Sequence, residues 1–373
     1  MKVLSVVGAR PNFVKIAPLL REMAGRGEIE SVLVHTGQHY DARMSDDFFA
    51  ALAIPAPDFN LAVGSGSHAR QTAEVMTRFE PVLESVRPDL VLVVGDVNST
   101  LAAALTAAKL GIRVAHVEAG LRSFDRSMPE ELNRLATDAI ADELFASEES
   151  AVENLAREGV PSERVHFVGN VMIDALRLTR PLWQASTIVA DLGLDRLPRY
   201  GAVTLHRAAN VDDPDRLRQI TGALQALARH VPLIFPVHPR VRPLLDGHDV
   251  RWLDAAAPVP AQGLVCTEPL GYLDFVALVS RAAVVLTDSG GIQEETTILG
   301  VPCLTLRENT ERPATVRHGT NRVIGVAPHR IVEEGLFALT QPPLRRTPPP
   351  RWDGHAAARI VDVLVRATVP VAA

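Results

Sequence analysis

The stretch Asp89–Arg134, DLVLVVGDVNSTLAAALTAAKLGIRVAHVEAGLRSFDRSMPEELNR, decides the fold of this chain. It contains two runs that predict buried strands: Leu90–Val94 is continuously apolar and rich in β-branched residues, as a strand buried on both faces requires, and Val114–Val117 is the second. Between these runs the residues predict a helix that Asn98–Ser99 can cap and Gly111 can close. The order of strand, helix and strand predicts one unit of a parallel α/β sheet.

Three carboxylates follow these predicted elements. Asp96 comes after the first strand, Glu118 after the second, and Glu130 lies in the first turn of a helix that Pro129 is placed to begin. In open parallel sheets, ligands bind beyond the carboxyl ends of the strands. Taken singly, the three side chains fit a turn residue, a solvated loop residue and a helix-dipole partner. Because like charges raise each other's pKa, three carboxylates in one place are costly, and together they predict that at least two are catalytic.

Length and composition restrict the class of protein. A chain of 373 residues is too long for one ordinary core, so we expect two domains. The net charge of −6 argues against a nucleic-acid binder, and the two cysteines suit a reducing compartment without suggesting a disulfide framework. The apolar run at the N-terminus stops at Ala9, which is too short for a signal peptide, and no stretch approaches the ~20 apolar residues of a membrane span. We therefore expect a cytoplasmic protein with neither a membrane nor a nucleic-acid partner.

The cycle of short apolar strand, polar or glycine-rich turn and helix recurs along the whole chain. It predicts an α/β fold with two doubly wound, Rossmann-like domains that face each other across a cleft. We expect residues 1–169 to form the first domain, with the acidic residues, and residues 170–352 to form the second. Gly169-Asn170 is the predicted hinge between them, and a last amphipathic helix is predicted over about 353–373.

A glycine-rich turn in the second half predicts an anion site. Asp288-Ser289-Gly290-Gly291 follows an apolar strand and opens a helix, where backbone N–H groups and the helix dipole favour a phosphate. A simple left-handed turn is the alternative explanation. Four basic residues near predicted strand ends are suited to neutralising a diphosphate, namely Arg10, Lys15, Arg207 and Arg312.

The missing motifs are informative too. No GxGxxG follows any predicted strand and there is no Walker sequence, so the sequence does not predict a dinucleotide or P-loop site. The loop histidines lie on separate segments rather than at metal-ligand spacing, which argues against zinc. These histidines are His35, His39, His206 and His238. Among them His206 is the strongest functional candidate, because it ends a predicted buried strand beside Arg207. We expect neither a metal nor another cofactor.

Nine segments, which occur in the family's order across roughly residues 1 to 335, resemble the non-hydrolysing UDP-N-acetylglucosamine 2-epimerases. They are GARPNFVKIAPL, HTGQHYD, GDVNSTLAAAL, HVEAGLRSFDRSMPEELNR, VGNVMIDAL, TLHRAANVDDPDRL, FPVHPR, TDSGGIQEETTILGVPCLTLRENTERP and GTNR. The resemblance implies a GT-B-like fold, a last helix that packs back on the first domain, and a homodimer. It also implies an isomerase of nucleotide-sugars in polysaccharide biosynthesis.

The implied reaction interconverts UDP-GlcNAc and UDP-ManNAc without a metal or a nicotinamide. UDP leaves by anti elimination to give 2-acetamidoglucal, and UDP then adds back from the same side while the proton returns to the other face of C2. Because no carbonyl acidifies the C2 proton, cleavage of the C1–O bond must run ahead and build oxocarbenium character, which carboxylates can stabilise.

The resemblance assigns roles to individual positions. Asp96, Glu118, Glu130 and His206 would carry the chemistry, and it stays open which of them serves which face of the sugar ring. The positions implied for UDP binding are Arg10, Lys15, His238, Phe275, Ser289, Gly290, Gly291, Glu295 and Arg312, with Glu295 on the ribose hydroxyls. Positions that hold a second, allosteric UDP-GlcNAc in some bacterial members correspond to Gln38, His39, Arg70 and Gln71.

Some segments leave the exact substrate open. HTGQHYD and RSFDRSMPEE also resemble relatives that epimerise UDP-2,3-diacetamido uronic acids, whereas ENTERPATVRHGTN and VGNVMIDAL favour the GlcNAc enzyme. Asn12 stands where many members have a glutamate. The remaining alternatives are a hydrolysing epimerase that releases free ManNAc, a GT-B glycosyltransferase and a non-catalytic nucleotide-sugar sensor.

Overall fold

The computed structural model describes residues 1–37, 52–248, 250–253, 258–341 and 347–366. The chain divides into two compact units. Unit 1 comprises Met1–Thr179 and the chain from Pro350 onwards, and unit 2 comprises Arg180–Pro349. Each unit contains a parallel seven-stranded sheet with helices between its strands, so the predicted doubly wound α/β fold is confirmed.

The strands of unit 1 follow the predicted cycle along the chain. They are β1 (Lys2–Val7), β2 (Glu30–His35), β3 (Phe59–Asn60), β4 (Leu90–Val94), β5 (Arg113–Ala119), β6 (Glu143–Ala146) and β7 (Val165–Phe167). Their order in the sheet is β3-β2-β1-β4-β5-β6-β7, which places β4 between β1 and β5. All five residues of β4 are buried, as its continuous apolar sequence predicts for a central parallel strand.

In the described part of the chain before unit 2, the helices are α1 (Arg10–Ala24), α2 (His68–Val86), α3 (Asn98–Lys109), α4 (Pro129–Ile140), α5 (Glu149–Arg157) and α6 (Val171–Leu178), with a 3₁₀ turn at Ser162–Arg164. The prediction that Pro129 begins a helix is confirmed, and Gly111 closes α3 in the left-handed conformation with φ 72°. The prediction that Asn98–Ser99 caps α3 was wrong. Val97 is the N-cap residue, because the side chain of Asn98 donates to Gln71 and that of Ser99 shares a hydrogen bond with Thr36.

Unit 2 repeats the architecture. Its strands are β8 (Gly201–Thr204), β9 (Leu233–Pro236), β10 (Arg251–Trp252), β11 (Leu264–Thr267), β12 (Val284–Thr287), β13 (Cys303–Thr305) and β14 (Asn321–Val323). The sheet order is β10-β11-β9-β8-β12-β13-β14, so β8 and β12 are neighbours. The helices are α7 (Arg180–Gln184), α8 (Ile188–Asp191), α9 (Ala208–Val211), α10 (Pro214–Leu227), α11 (Tyr272–Ser280), α12 (Gly290–Leu299), α13 (Pro313–Arg317) and α14 (Pro328–Thr340), with 3₁₀ turns at Leu194–Arg196 and Arg242–Leu245.

After unit 2 the chain returns to unit 1 as α15 (Ala356–Arg366), which packs against α1 and α6. The carboxylate of Asp174 on α6 accepts hydrogen bonds from the backbone N–H groups of Ala356 (3.2 Å) and Ala357 (2.7 Å), which satisfies two donors at the start of α15. Burial raises the pKa of Asp174 to about 6. Trp352 is 1% exposed and donates from its indole to the Ser147 carbonyl, so the returning chain is anchored in the core of unit 1.

Asn170, in the predicted hinge, accepts a hydrogen bond from the Met172 N–H and caps α6; hinge motion there stays a prediction. Gly169 before it has φ 92°, and a side chain at this position would collide with the Arg351 carbonyl oxygen.

Among the described residues, no helix has both the length and the apolar character needed to cross a membrane.

Candidate active site

Asp96 lies just beyond β4, where a buried arginine holds its carboxylate. Nη1 of Arg134 on α4 is 2.5 Å from Oδ2 of Asp96, and Nδ2 of Asn133 donates to the Asp96 backbone carbonyl at 2.9 Å. The Arg134 side chain is 2% exposed, whereas that of Asp96 is 21% exposed. The ion pair therefore orients the Asp96 carboxylate while leaving part of it accessible.

A second carboxylate, that of Glu131, also forms an ion pair with Arg134. Its Oε2 is 2.5 Å from Nη2 of Arg134, and its two oxygens also accept the backbone N–H groups of Ser123 and Phe124. Burial alone would raise the pKa of Glu131, but the hydrogen bonds from Ser123 and Arg134 outweigh it and lower the pKa. Glu131 thus fixes both Arg134 and the loop before α4.

Glu118 is buried and paired with Lys15 of α1, whose Nζ is 2.5 Å from its Oε2. The Glu118 backbone has φ 74°, and the register between β5 and β6 breaks at this residue. Such a conformation is uncommon for a residue other than glycine. A Cβ built on Gly95 would lie 2.9 Å from Nζ of Lys15, so this ammonium lies between the residue that precedes Asp96 and Glu118. Lys15 was predicted to bind the diphosphate, which stays a prediction.

Glu130 is half-buried in the first turn of α4, where a carboxylate interacts favourably with the helix dipole. It lies four residues before Arg134, so the two side chains share one face of α4. Since Arg134 contacts Asp96, Glu130 lies on the face of α4 that points towards the Asp96 loop. The structure thus places the three predicted carboxylates on connected segments of unit 1.

A buried polar network centred on Asp138 of α4 contacts the loops that carry Asp96 and Glu118. One Asp138 oxygen is 2.6 Å from Nδ1 of His116, and Nε2 of His116 is 2.8 Å from the Gly95 carbonyl oxygen. The other oxygen accepts the Gly120 N–H at 2.9 Å and pairs with Arg122 at 2.7 Å. Because Gly95 precedes Asp96 and Gly120 follows Glu118 closely, this network fixes both acidic loops.

Sequence reasoning did not single out this network, although it left a signal. His116 lies inside a strand that is otherwise apolar, and Arg122 follows two residues after Gly120. A histidine and an arginine that are predicted to be buried require partners, since buried charges are almost always paired. The acids of the following helix, among them Asp138, were the candidates for these partners.

In unit 2, the predicted anion site lies at the first turn of α12. The helix begins at Gly290, with Ser289 as its N-cap residue. Gly290 and Gly291 therefore lie in the first turn, whose backbone N–H groups lack acceptors within the helix. A Cβ on Gly290 would be 2.4 Å from Nη1 of Arg312, so the structure brings this guanidinium against the helix start.

Arg312 belongs to a buried cluster of charges. It pairs with Glu294 (2.7 Å) and with Glu311 (2.5 Å), and Glu311 also pairs with Arg307 (2.7 Å) and Arg207 (3.4 Å). Burial of Glu311 would raise its pKa, but the charges of the arginines, Arg312 first, hold the pKa well below its usual range. Arg207 and Arg312 were predicted to be near an anion, whereas Arg307 and Glu311 were missed. The cluster fixes guanidinium groups beside the α12 N-terminus.

His206 and Arg207 follow β8 and meet the residue that follows β12. The Nδ1 atom of His206 is 3.1 Å from Asp288, whose carboxylate also accepts the backbone N–H of Arg207 at 3.0 Å. Asp288 is fully buried, whereas the His206 side chain is 43% exposed. The predicted functional histidine is thus bonded to the first residue of the predicted phosphate turn.

The remaining residues predicted to contact the nucleotide lie on different elements of unit 2. Glu295 on α12 is 2% exposed, and burial raises its pKa to about 8, partly offset by a hydrogen bond from Tyr272. Its carboxyl group is therefore mostly protonated at neutral pH and can both donate and accept. Phe275 is half-buried on α11, and His238 is exposed after β9 with its Nδ1 accepting the Arg240 N–H.

The predicted allosteric residues are only partly described. Gln38 and His39 lie outside the described residues, and for Arg10 the structure describes the backbone at the start of α1 and not the side chain. Arg70 is exposed in the first turn of α2, and Gln71 is buried. The side-chain amide of Asn98 donates to Gln71 (2.8 Å), and that of Asn133 contacts Asn98 (3.3 Å). Since Asn133 also bonds to the Asp96 carbonyl, a chain of amides joins Gln71 to the loop that carries Asp96.

Comparisons with known proteins agree on one family. A family model described as UDP-N-acetylglucosamine 2-epimerase matches residues 21–365. A UDP-N-acetylglucosamine 2-epimerase homolog of Methanococcus maripaludis is 42% identical over 98% of this chain and 99% of its own length. The UDP-2,3-diacetamido-2,3-dideoxy-D-glucuronate 2-epimerase of Pseudomonas aeruginosa is 38% identical over 98% of this chain and 100% of its own. The crystal structure of the Methanocaldococcus jannaschii UDP-GlcNAc 2-epimerase in complex with UDP-GlcNAc and UDP matches with a TM-score of 0.88, at 38% identity over 98% of this chain and 100% of that chain.

Proposed function

Since the chain belongs to the UDP-N-acetylglucosamine 2-epimerase family, we propose that it interconverts UDP-GlcNAc and UDP-ManNAc. The family consists of isomerases, and the predicted GT-B-like α/β class agrees with its solved structures. The observation that carries the proposal is the two ion pairs Arg134–Asp96 and Lys15–Glu118, which hold two carboxylates at the carboxyl ends of the adjacent strands β4 and β5.

The proposed reaction uses charge of both signs. The anion-binding turn Ser289–Gly291, with Arg312 beside it, would bind the diphosphate of UDP. As the C1–O bond breaks with its electron pair, positive charge develops on the sugar and carboxylates stabilise it. A base then removes the C2 proton, which forms the C1=C2 double bond of 2-acetamidoglucal. Re-addition of UDP and return of a proton to the opposite face complete epimerisation. Asp96, Glu118, Glu130 and His206 are the groups proposed to handle these protons and charges.

The test of this proposal is incubation with UDP-GlcNAc in D₂O, followed by NMR. We expect UDP-ManNAc to appear with deuterium at C2 and with UDP still attached to the sugar. Release of free ManNAc would indicate a hydrolysing enzyme, and the absence of deuterium at C2 would exclude the proposed elimination.

A second candidate substrate is a UDP-2,3-diacetamido uronic acid, because the Pseudomonas aeruginosa relative that carries this activity in its name is 38% identical to the chain over its whole length. The same assay with that sugar separates the two candidates. A higher kcat/KM for UDP-GlcNAc supports our proposal, whereas a higher value for the uronate replaces it. Assembly as a homodimer, a cytoplasmic location and a role in polysaccharide biosynthesis stay predictions.

Gly290→Val is expected to weaken UDP binding by about 10–100-fold, the loss of one charge-assisted hydrogen bond of ~1.5–3 kcal/mol. The added side chain would displace the Arg312 guanidinium and block the approach of a phosphate to the α12 N-terminus. Calorimetric titration with UDP measures the change. Gly222→Val is the matched control, because a Cβ at this helical glycine meets nothing within 4 Å. Equal UDP affinity of the two variants would place the diphosphate elsewhere.

Arg70→Ala is expected to reduce activation by UDP-GlcNAc if this ligand also binds beside α2. Without added UDP-GlcNAc, conversion of UDP-ManNAc should then begin with a lag, because the ligand favours the active state through its differential affinity. In the variant, added UDP-GlcNAc should increase the rate of UDP-ManNAc conversion less, while the affinity for UDP should be unchanged. Arg21→Ala, another exposed arginine, serves as control. Full activity on UDP-ManNAc from the first turnover in the unmodified protein would contradict the prediction.

A further inference from the structure

The carboxylate of Asp288 organises the residues that follow two neighbouring strands of unit 2. It accepts hydrogen bonds from the backbone N–H groups of His206 (3.1 Å) and Arg207 (3.0 Å), from Nδ2 of Asn210 (3.2 Å), and it contacts Nδ1 of His206 at 3.1 Å. Asp288 is 0% exposed. Its backbone carbonyl accepts Nε of Arg207, so the ends of β8 and β12 are joined through a single residue.

The charge of the Asp288 carboxylate decides which ring nitrogen of His206 carries the hydrogen. Burial alone would raise the pKa of Asp288, but hydrogen bonds and charge from His206 and the Arg207 N–H outweigh it and lower the pKa. The carboxylate is therefore ionised at neutral pH and can only accept hydrogen bonds. Nδ1 of His206 must then be a donor, which makes Nε2 the acceptor nitrogen of the neutral ring.

The same contacts place His206 close to the anion site. Asp288 directly precedes Ser289 and Gly290, which begin α12. Arg207 also pairs with Glu311, which in turn pairs with the Arg312 that lies against Gly290. Since the His206 side chain is 43% exposed, the ring is both anchored at Nδ1 and accessible elsewhere.

From this geometry we propose that Asp288 is a positioning residue for proton transfer at Nε2 of His206. The inference rests on the proposed epimerase function. As the C1–O bond breaks, its electron pair stays on the diphosphate oxygen, and protonated His206 gives its Nε2 proton to that oxygen. When UDP adds back, the oxygen attacks C1 and returns the proton to Nε2. Asp288 keeps Nδ1 protonated throughout and stabilises the imidazolium form, as a carboxylate does for the histidine of serine hydrolases.

Asp288→Asn is the informative substitution, because it preserves shape. The Asn oxygen can still accept the backbone N–H groups, but its amide would then face Nδ1 as a donor and favour the tautomer with hydrogen on Nε2. We expect kcat to fall by about 10²–10⁴-fold, the range of general acid–base groups, with little change in the Kd for UDP. The limb of the pH–rate profile that is lost in His206→Gln should be shifted in this variant.

Two controls separate positioning from a structural role. Asn210→Ala removes a different partner of the same carboxylate and should leave the pH profile unchanged. The double variant His206→Gln/Asp288→Asn should be no slower than His206→Gln alone. Multiplicative losses in the double variant, or a loss of UDP affinity that matches the loss of kcat, would overturn the proposal.

A direct measurement of the tautomer does not depend on activity. In full-length protein labelled with ¹⁵N-histidine, and with the His206 signals assigned from His206→Gln, we expect hydrogen on Nδ1 when the ring is neutral. Hydrogen on Nε2 would overturn the proposal even if Asp288→Asn does not fold. If the protein fails to epimerise UDP-GlcNAc while His206 has the expected tautomer, the proposed substrate is wrong and the arrangement of Asp288 and His206 stands.

Discussion

Asp96→Asn is expected to reduce turnover by ~10²–10⁴-fold while leaving the affinity for UDP unchanged, because an amide has the size of the carboxylate but does not take up a proton at neutral pH. Arg134 keeps its pair with Glu131 in this variant, and the Asn133 bond to the backbone of residue 96 is unaffected. The fold should therefore survive. Deuterium exchange at C2 should fall together with kcat, since both depend on removal of the same proton.

The control for this experiment lies at the other end of the same strand. Asp89 precedes β4, and its carboxylate accepts the Lys2 backbone N–H at 2.7 Å. Asp89→Asn makes the same chemical change at the opposite end of β4, should change the free energy of unfolding by no more than ~0.5 kcal/mol, as is usual for surface substitutions, and should not lower turnover. Near-normal turnover of Asp96→Asn with intact UDP binding would remove Asp96 from the mechanism.

Asp138→Ala is expected to destabilise unit 1 by about 3–5 kcal/mol, the cost of removing one partner from a buried ion pair. The substitution leaves His116 and Arg122 without their shared acceptor and frees the Gly120 N–H. Urea unfolding, followed with a probe in unit 1, measures the loss. Turnover should fall as well, because Gly95 and Gly120 anchor the loops that carry the acids.

The matched control for Asp138→Ala is Asp362→Ala, which breaks a partly exposed pair with Arg26 and should cost less than about 1 kcal/mol. A stability of Asp138→Ala equal to that of this control would show that the buried network contributes little.

The same network predicts how acid affects unit 1. Burial would raise the pKa of Asp138, but the charge of His116 and the Arg122 pair outweigh it, so the folded-state pKa is lowered. An acid with a lowered pKa in the folded state stabilises the fold above its unfolded pKa, about 3.9, and that contribution is lost as pH falls towards the folded value. Stability of unit 1 should therefore decrease below about pH 4, and less steeply in Asp138→Ala.

The backbone architecture could be predicted because its signals are local. Strands buried on both faces read as continuous apolar runs, so Leu90–Val94 was predicted with the bounds that the structure shows. Helix starts were harder. Asn98–Ser99 was predicted to cap α3, but Val97 is its N-cap residue, because the side chains of Asn98 and Ser99 bond to other elements.

The partners of the site residues could not be predicted, because they depend on which strands are neighbours. Lys15 and Glu118 are far apart in sequence. They meet because the sheet order β1-β4-β5 brings the end of β5 near α1, the helix that follows β1. His206 and Asp288 meet because β8 and β12 are adjacent. The sequence showed that polar residues follow each strand. The order of the strands in the sheet determines which basic side chain pairs with each carboxylate.

The return of α15 to unit 1 has a consequence for synthesis on the ribosome. Unit 1 is interrupted by the 170 residues of Arg180–Pro349, so its last helix emerges only after unit 2 has been made. At about 5–20 residues per second, this delay is roughly 10–35 s. During that time α1 and α6 lack the surface that covers them, and Asp174 lacks the N–H groups that it caps. Unit 2 can therefore complete its fold first, although it is encoded second.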